Sequence, residues 1–126
     1  MEKIIVAKNL TKIYGEEGTS VTALNNVNLD FYENKFTAIM GQSGSGKSTL
    51  LHCLAGLDKV TSGSIFIKGT DLGNLNDKEL TKMRRDSFGF VFQAFNLIPT
   101  LTAEENITLP SSIAGNKPDE DWINQI

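Results

Sequence analysis

The stretch FTAIMGQSGSGKSTLLHCLAGL, residues 36–57, decides the fold. Its centre, GQSGSGKS at 41–48, satisfies G-x-x-x-x-G-K-[ST] without a gap. The apolar run 36–40 before it reads as a short, fully buried strand. After it, Leu50, Leu51, Leu54 and Leu57 recur at helical spacing, so a helix of about ten residues is expected from Lys47, with Gly56 near its end. Strand, glycine-rich turn, helix is the setting in which this motif holds a phosphate.

Each residue type there has a physical task. Gly41, Gly44 and Gly46 let the backbone take positive φ and approach a ligand with no Cβ in the way. The amides that follow converge as an anion-binding concavity, reinforced by the positive end of the helix. Lys47 supplies a charge to the β- and γ-phosphates, and the Ser48 hydroxyl is a candidate Mg²⁺ ligand. Gly41, Gln42, Ser43, Gly44, Ser45, Gly46, Lys47, Ser48 and Thr49 therefore form the candidate binding set for a nucleoside triphosphate. The loop alone leaves GTPase, small-molecule kinase and transporter ATPase open.

Working outward, IIVAKNLTKIY (4–14) alternates loosely and reads as a strand, followed by a glycine turn at 15–20. VTALNNVNLDFY (21–32) is a second strand, with Val21, Ala23, Val27, Leu29 and Phe31 as its apolar positions. The paired asparagines in its middle are either a bulge or a short break. SGSIFIKGTDL (62–72) is a strand between turns, and FGFVFQ (88–93) is another buried strand. Asn76 with Glu79, and Thr102 with Glu105, have capping-box spacing. They predict one helix to about Arg85 and a short one at 103–106. Pro118 and the acids after it open a last helix whose apolar face starts with Trp122, Ile123 and Ile126. Strands first, then strand–loop–helix, implies an α/β core with an antiparallel β part at the N-terminus.

The bulk composition narrows the classes. A chain of 126 residues with 40% hydrophobic and 21% charged residues is the size and character of one globular domain, not a disordered one. The net charge of −3 argues against a nucleic-acid partner, and Lys82, Arg84 and Arg85 are diluted by Glu79 and Asp86 into an ordinary solvated helix face. The single cysteine, Cys53, excludes an intrachain disulfide and suits a reducing compartment; it reads as a small core residue. No window approaches the ~18 apolar residues of a membrane span. The expected setting is cytoplasmic, with any membrane link made through a partner.

Three further segments narrow the family. VAKNLTKIYGEEGTSVTALNNVNLDF precedes the loop, AGLDKVTSGSIFIKGTDL follows its helix, and FGFVFQAFNLIPTLTAEENI comes about forty residues after the loop. With the loop they resemble the N-terminal half of an ATP-binding cassette (ABC) transporter ATPase subunit, from about Ile4 to Pro110. The turn at 15–20 and the run 84–107 look most like the lipoprotein-release, macrolide-efflux and antimicrobial-peptide-export subgroup.

The resemblance implies roles at matching positions. Tyr14 falls where the family stacks an aromatic ring on adenine; by itself it would read as a strand-end aromatic in the core. Gln93 matches the glutamine that ligates Mg²⁺ and helps position the attacking water. With Lys47 it makes up the catalytic set, and with Ser48 the metal set. Phe92, Phe95, Leu97, Ile98 and Leu101 around it suit either a docking groove for a membrane partner or ordinary core packing. His52 lies on the loop's own helix and is not the family's late switch histidine.

Residues 94–126 carry no LSGGQ-like signature, no apolar strand ending in Asp-Glu and no histidine. Against the family, the sequence therefore reads as a P-loop α/β domain truncated about midway. It would bind ATP and Mg²⁺. Hydrolysis would belong to the complete, dimeric parent, driving transport through permease subunits on the inner face of the cell membrane. The alternative is a truncated nucleotide-binding module, or a remnant, without turnover. On this reading segments 36–40 and 88–93 would be left with unpaired edges and exposed apolar faces.

Overall fold

The structure is a computed structural model that describes residues 1–94 and 96–125; Phe95 and Ile126, placed above in the apolar segment and the last helix, lie outside the described residues. The chain divides into two units, Met1–Leu80 and Thr81–Ile126.

The first unit is built on a four-stranded antiparallel sheet in the order β2-β1-β3-β4. Its strands are β1 (Lys3–Tyr14), β2 (Val21–Tyr32), β3 (Ser62–Ile67) and β4 (Thr70–Asp71). β1 and β2 form a hairpin across the glycine turn, pairing Tyr14 with Val21 and Ala7 with Leu29. β3 lies on the other side of β1, with Ala7 opposite Ile65 and Ile5 opposite Ile67.

Bulges set the core face. Ala7 and Leu10 are both buried although three residues apart, which regular alternation forbids. The register shifts between them, and Asn9 takes φ 50°, so one extra residue restores the inward direction. The asparagine pair in β2 works the same way. Asn26 has φ 52° and the register shifts between Leu24 and Val27, so the sequence's ambiguous break is a bulge. Its amide donates to Thr11 Oγ1 at 3.1 Å. One consequence was not legible: Leu24 is the buried residue before the bulge, while Val21 is exposed.

Helix α1 (Lys47–Leu54) packs its buried face, Leu50, Cys53 and Leu54, toward this sheet, where Ala7, Leu10, Leu24, Ile65 and Ile67 complete the core. Each leucine so buried contributes on the order of 1.5–3 kcal/mol. The helix ends in a Schellman arrangement, with Gly56 N–H on Cys53 O at 3.0 Å and Leu57 N–H on His52 O at 2.9 Å. The expected glycine stop is there. A 3₁₀ turn (Leu72–Asn74) leads to α2 (Asp77–Ser87), which starts on the Asn76–Glu79 capping box.

In the second unit, α3 (Ala103–Ile113) begins with the Thr102–Glu105 box, both bonds at 3.1 Å, and runs well past the expected 103–106. Asn106 fixes the loop before it: its side chain accepts from Ile98 N–H at 2.9 Å and donates to Thr102 O at 2.9 Å. Helix α4 (Glu120–Gln125) follows Pro118 as expected, with Asp119 Oδ1 accepting from the Trp122 amide.

Two expectations are corrected. Neither 36–40 nor 88–93 forms a strand. Phe36 is 98% exposed, Met40 89% and Val91 97%. A buried strand needs ladder partners for its amides and carbonyls, and among the described residues neither segment has one. Both are without regular secondary structure.

Candidate nucleotide-binding site

The glycine-rich segment 41–46 turns directly into α1, with Gly46 as the residue before the helix. Gly46 sits at φ 94°, ψ 8°, a left-handed conformation that suits glycine, and a Cβ there would run into the Ala23 carbonyl oxygen of β2. The loop is thereby seated on the sheet at its C-terminal end. Its outer part, Gly41 to Ser45, is exposed, and nothing lies within 4 Å of the position a Gly44 side chain would take. That open ground faces the start of a helix with no acidic residue in its first turn, so the positive end of the dipole is uncompensated.

Lys47 is folded into the loop. Its Nζ donates to Gly41 O and Gln42 O, each at 2.6 Å, and to Ser45 Oγ at 3.2 Å. The ammonium thus sits over the loop's own carbonyl oxygens. Ser48 is exposed on the first turn, and Thr49 is half-buried beside it.

Tyr14 ends β1, and the structure brings it to this helix. The Thr49 side chain acts on its phenol. Its hydroxyl donates to Asp58 Oδ2 at 2.5 Å, and Lys12 Nζ stands 4.9 Å from the ring centroid. Lys12 in turn pairs with Asp58 Oδ1 at 3.3 Å and donates to Lys59 O. The shared proton moves both partners: the bond to Asp58 raises the Tyr14 phenol above its ordinary value, and the bond from Tyr14 lowers the Asp58 carboxyl below its own. Tyr14 remains 40% exposed, so the reading as a wholly packed core aromatic is not what the structure shows.

Lys12 and Asp58 were missed in the sequence. Nothing local marks an aspartate just past a helix end as the partner of a tyrosine forty-four residues earlier. Gln93 lies exposed in a bend after α2, in the second unit, while Ser48 belongs to the first. Among the described residues no group of three or more His, Cys, Asp or Glu gathers to hold a metal. A Mg²⁺ ion here would rely on hydroxyl, amide and phosphate oxygens, a donor set this hard cation accepts. A cavity of about 300 Å³ between the end of α1, β3 and the start of α2 has none of residues 41–49 on its wall, so it is separate from the glycine-rich loop. No helix among the described residues is long and apolar enough to cross a membrane.

An antiparallel sheet, a glycine loop seated on it and a helix opening with Lys47 and Ser48 define a P-loop protein of the cassette class. The ABC transporter family model matches residues 24–126. The chain belongs to the ABC transporter ATP-binding family. MJ0796, an uncharacterized ABC transporter ATP-binding protein of Methanocaldococcus jannaschii, is 53% identical over 107 residues, 85% of this chain and 46% of that protein. The lipoprotein-releasing system ATP-binding protein LolD of Blochmanniella floridana is 44% identical over 114 residues, 90% of this chain and 48% of LolD. The macrolide export ATP-binding/permease protein MacB of Marinobacter nauticus is 43% identical over 117 residues, 93% of this chain and 18% of MacB. A dimeric structure of MJ0796 in a post-hydrolysis state, bound to ADP and Pi, superposes with a TM-score of 0.85 at 49% identity, over 93% of this chain and 51% of that one. The lipoprotein-release and macrolide-export subgroup expected from the sequence is thus among the relatives. The chain spans about half the length of MJ0796 and LolD.

Proposed function

We propose that this chain is the nucleotide-gripping portion of an ABC transporter ATPase subunit and binds Mg-ATP at residues 41–49. The observation that carries the reading is Lys47, whose ammonium is held over an exposed glycine loop at an uncompensated helix N-terminus. Phosphate oxygens offer this ammonium stronger partners than neutral carbonyls, because both ends of the new bonds are charged. The amides of Gly41 to Thr49 wrap the triphosphate, Lys47 neutralises the β- and γ-phosphates, and adenine stacks on Tyr14. Ser48 is the residue of the loop's own unit to hold Mg²⁺, which when bound would withdraw charge from the phosphate oxygens.

Turnover belongs to the complete dimeric parent, coupled to a permease on the inner face of the membrane. Residues 1–126 contain no acidic pair to polarise water after an apolar strand, so these residues alone bind without hydrolysing. The reading is tested by titrating the chain with a fluorescent ATP analogue. Lys47→Ala removes a charge-assisted contact of ~1.5–3 kcal/mol and should weaken binding about ten- to a hundredfold. Equal affinity for wild type and Lys47→Ala would overturn the site.

A further inference from the structure

Tyr14 is the last residue of β1, beside an exposed turn, where a tyrosine with two free torsions would sweep a wide arc. It is instead held from two directions. Asp58 takes its hydroxyl at 2.5 Å, and Lys12 covers one face of the ring at 4.9 Å from the centroid. The same carboxylate holds the lysine, through its other oxygen at 3.3 Å. Lys12 is deeply seated for a lysine, its side chain only 13% exposed, because Asp58, Lys59 O and the ring together occupy it. Asp58 is itself fixed, since its amide donates to His52 O at the end of α1. Removing Asp58 therefore takes the acceptor from the ring's hydroxyl and the ion-pair partner from the cation behind the ring at once, leaving Lys12 only Lys59 O and the ring.

We propose that Asp58 is a positioning residue for nucleobase binding: with Lys12 it locks Tyr14 as a stacking platform with one face closed and the other open to the base. This rests on the reading of residues 41–49 and Tyr14 as the ATP site. A ring already fixed has less freedom to lose when a flat ligand stacks on it, which is where preorganisation gains affinity. The phosphates are bound elsewhere, by Lys47 and the loop amides. Asp58 therefore acts on base recognition without acting on phosphate recognition.

That separation gives the test. Dissociation constants for ATP and for inorganic triphosphate are measured by calorimetry on the 126-residue chain and its variants, with circular dichroism on each. Asp58→Asn is expected to weaken ATP about five- to tenfold and leave inorganic triphosphate unchanged, with Asp58→Glu recovering part of the loss. Combining Asp58→Asn with Tyr14→Ala should cost no more than Tyr14→Ala alone. Lys12→Met should lower the ATP-to-triphosphate preference in the same sense, and it serves if Asp58→Asn does not fold. Equal losses for ATP and triphosphate in Asp58→Asn would reduce Asp58 to a structural residue and overturn the proposal, as would an unchanged preference in both Asp58→Asn and Lys12→Met. The underlying reading fails separately, if Lys47→Ala leaves both ligands bound or Tyr14→Ala leaves their ratio unaltered.

Discussion

Gly46→Ala probes the seat of the phosphate loop. The residue sits at φ 94°, ψ 8°, where an L side chain costs ~1–2 kcal/mol. The added methyl would also meet the Ala23 carbonyl oxygen, with the Leu24 side chain at 3.3 Å closing the other side. Ala23 is held in β2 and Leu24 is buried, so neither yields without moving the sheet. Overpacking of that kind costs a further ~1–3 kcal/mol. The total, ~2–5 kcal/mol, is a large share of the 5–15 kcal/mol typical of a folded domain. Gly44→Ala is the matched control: its φ is 79°, yet nothing lies within 4 Å of its Cβ position. It should show the strain alone, about 1–2 kcal/mol. Urea unfolding followed by circular dichroism should separate the two variants by ~1–3 kcal/mol, with Gly46→Ala the less stable. In binding the emphasis reverses. The Gly44 methyl projects onto the open side of the loop, so it should weaken ATP by more than its small stability loss explains. If both alanines destabilise equally, the collision with β2 is not what fixes the loop, and the reasoning is wrong.

Two other outcomes follow from local contacts. Thr102→Ala removes the hydroxyl that accepts from the Glu105 amide and should cost ~1 kcal/mol, seen as faster amide exchange through the first turn of α3 while β1 and β2 are unchanged. The Tyr14–Asp58 bond predicts a pH window. Asp58 titrates below its ordinary value, so its stabilisation is complete above that value and lost as pH falls through the lowered one; Tyr14 titrates above its ordinary value, so its stabilisation is complete below that value and lost as pH rises through the raised one. Unfolding midpoints measured from acid to alkaline pH should therefore respond less at both ends in Asp58→Asn than in wild type.

What could be read from the sequence was local in its physics. The loop at 41–48 declares itself because glycine, lysine and serine each do their work within a few residues. Both capping boxes were legible because donor and acceptor lie three residues apart. The helix expected at 103–106 was too short; α3 runs to Ile113, and Asn106 bonds back to Ile98 and Thr102 to anchor its start. Segments 36–40 and 88–93 misled for a different reason. An apolar run reports what a segment would do beside a partner strand, and pairing is a property of two segments. Asp58 was invisible for the same cause. Its role exists only once β1 and the end of α1 are folded together.

Among the described residues, segment 36–40 lies outside the sheet, so the contacts that hold the glycine loop come from its helix side. In a strand–loop–helix unit the ladder would fix the chain's entry to the loop and the helix its exit. Here the exit is secured by Gly46 against β2 and by α1, but the entry comes from a segment without regular secondary structure, with Phe36 and Met40 exposed. The contacts that return the entry to the helix are those of Lys47, which binds the carbonyls of Gly41 and Gln42. A phosphate bound as proposed would have to compete with those carbonyls, and with Ser45 Oγ, for one ammonium.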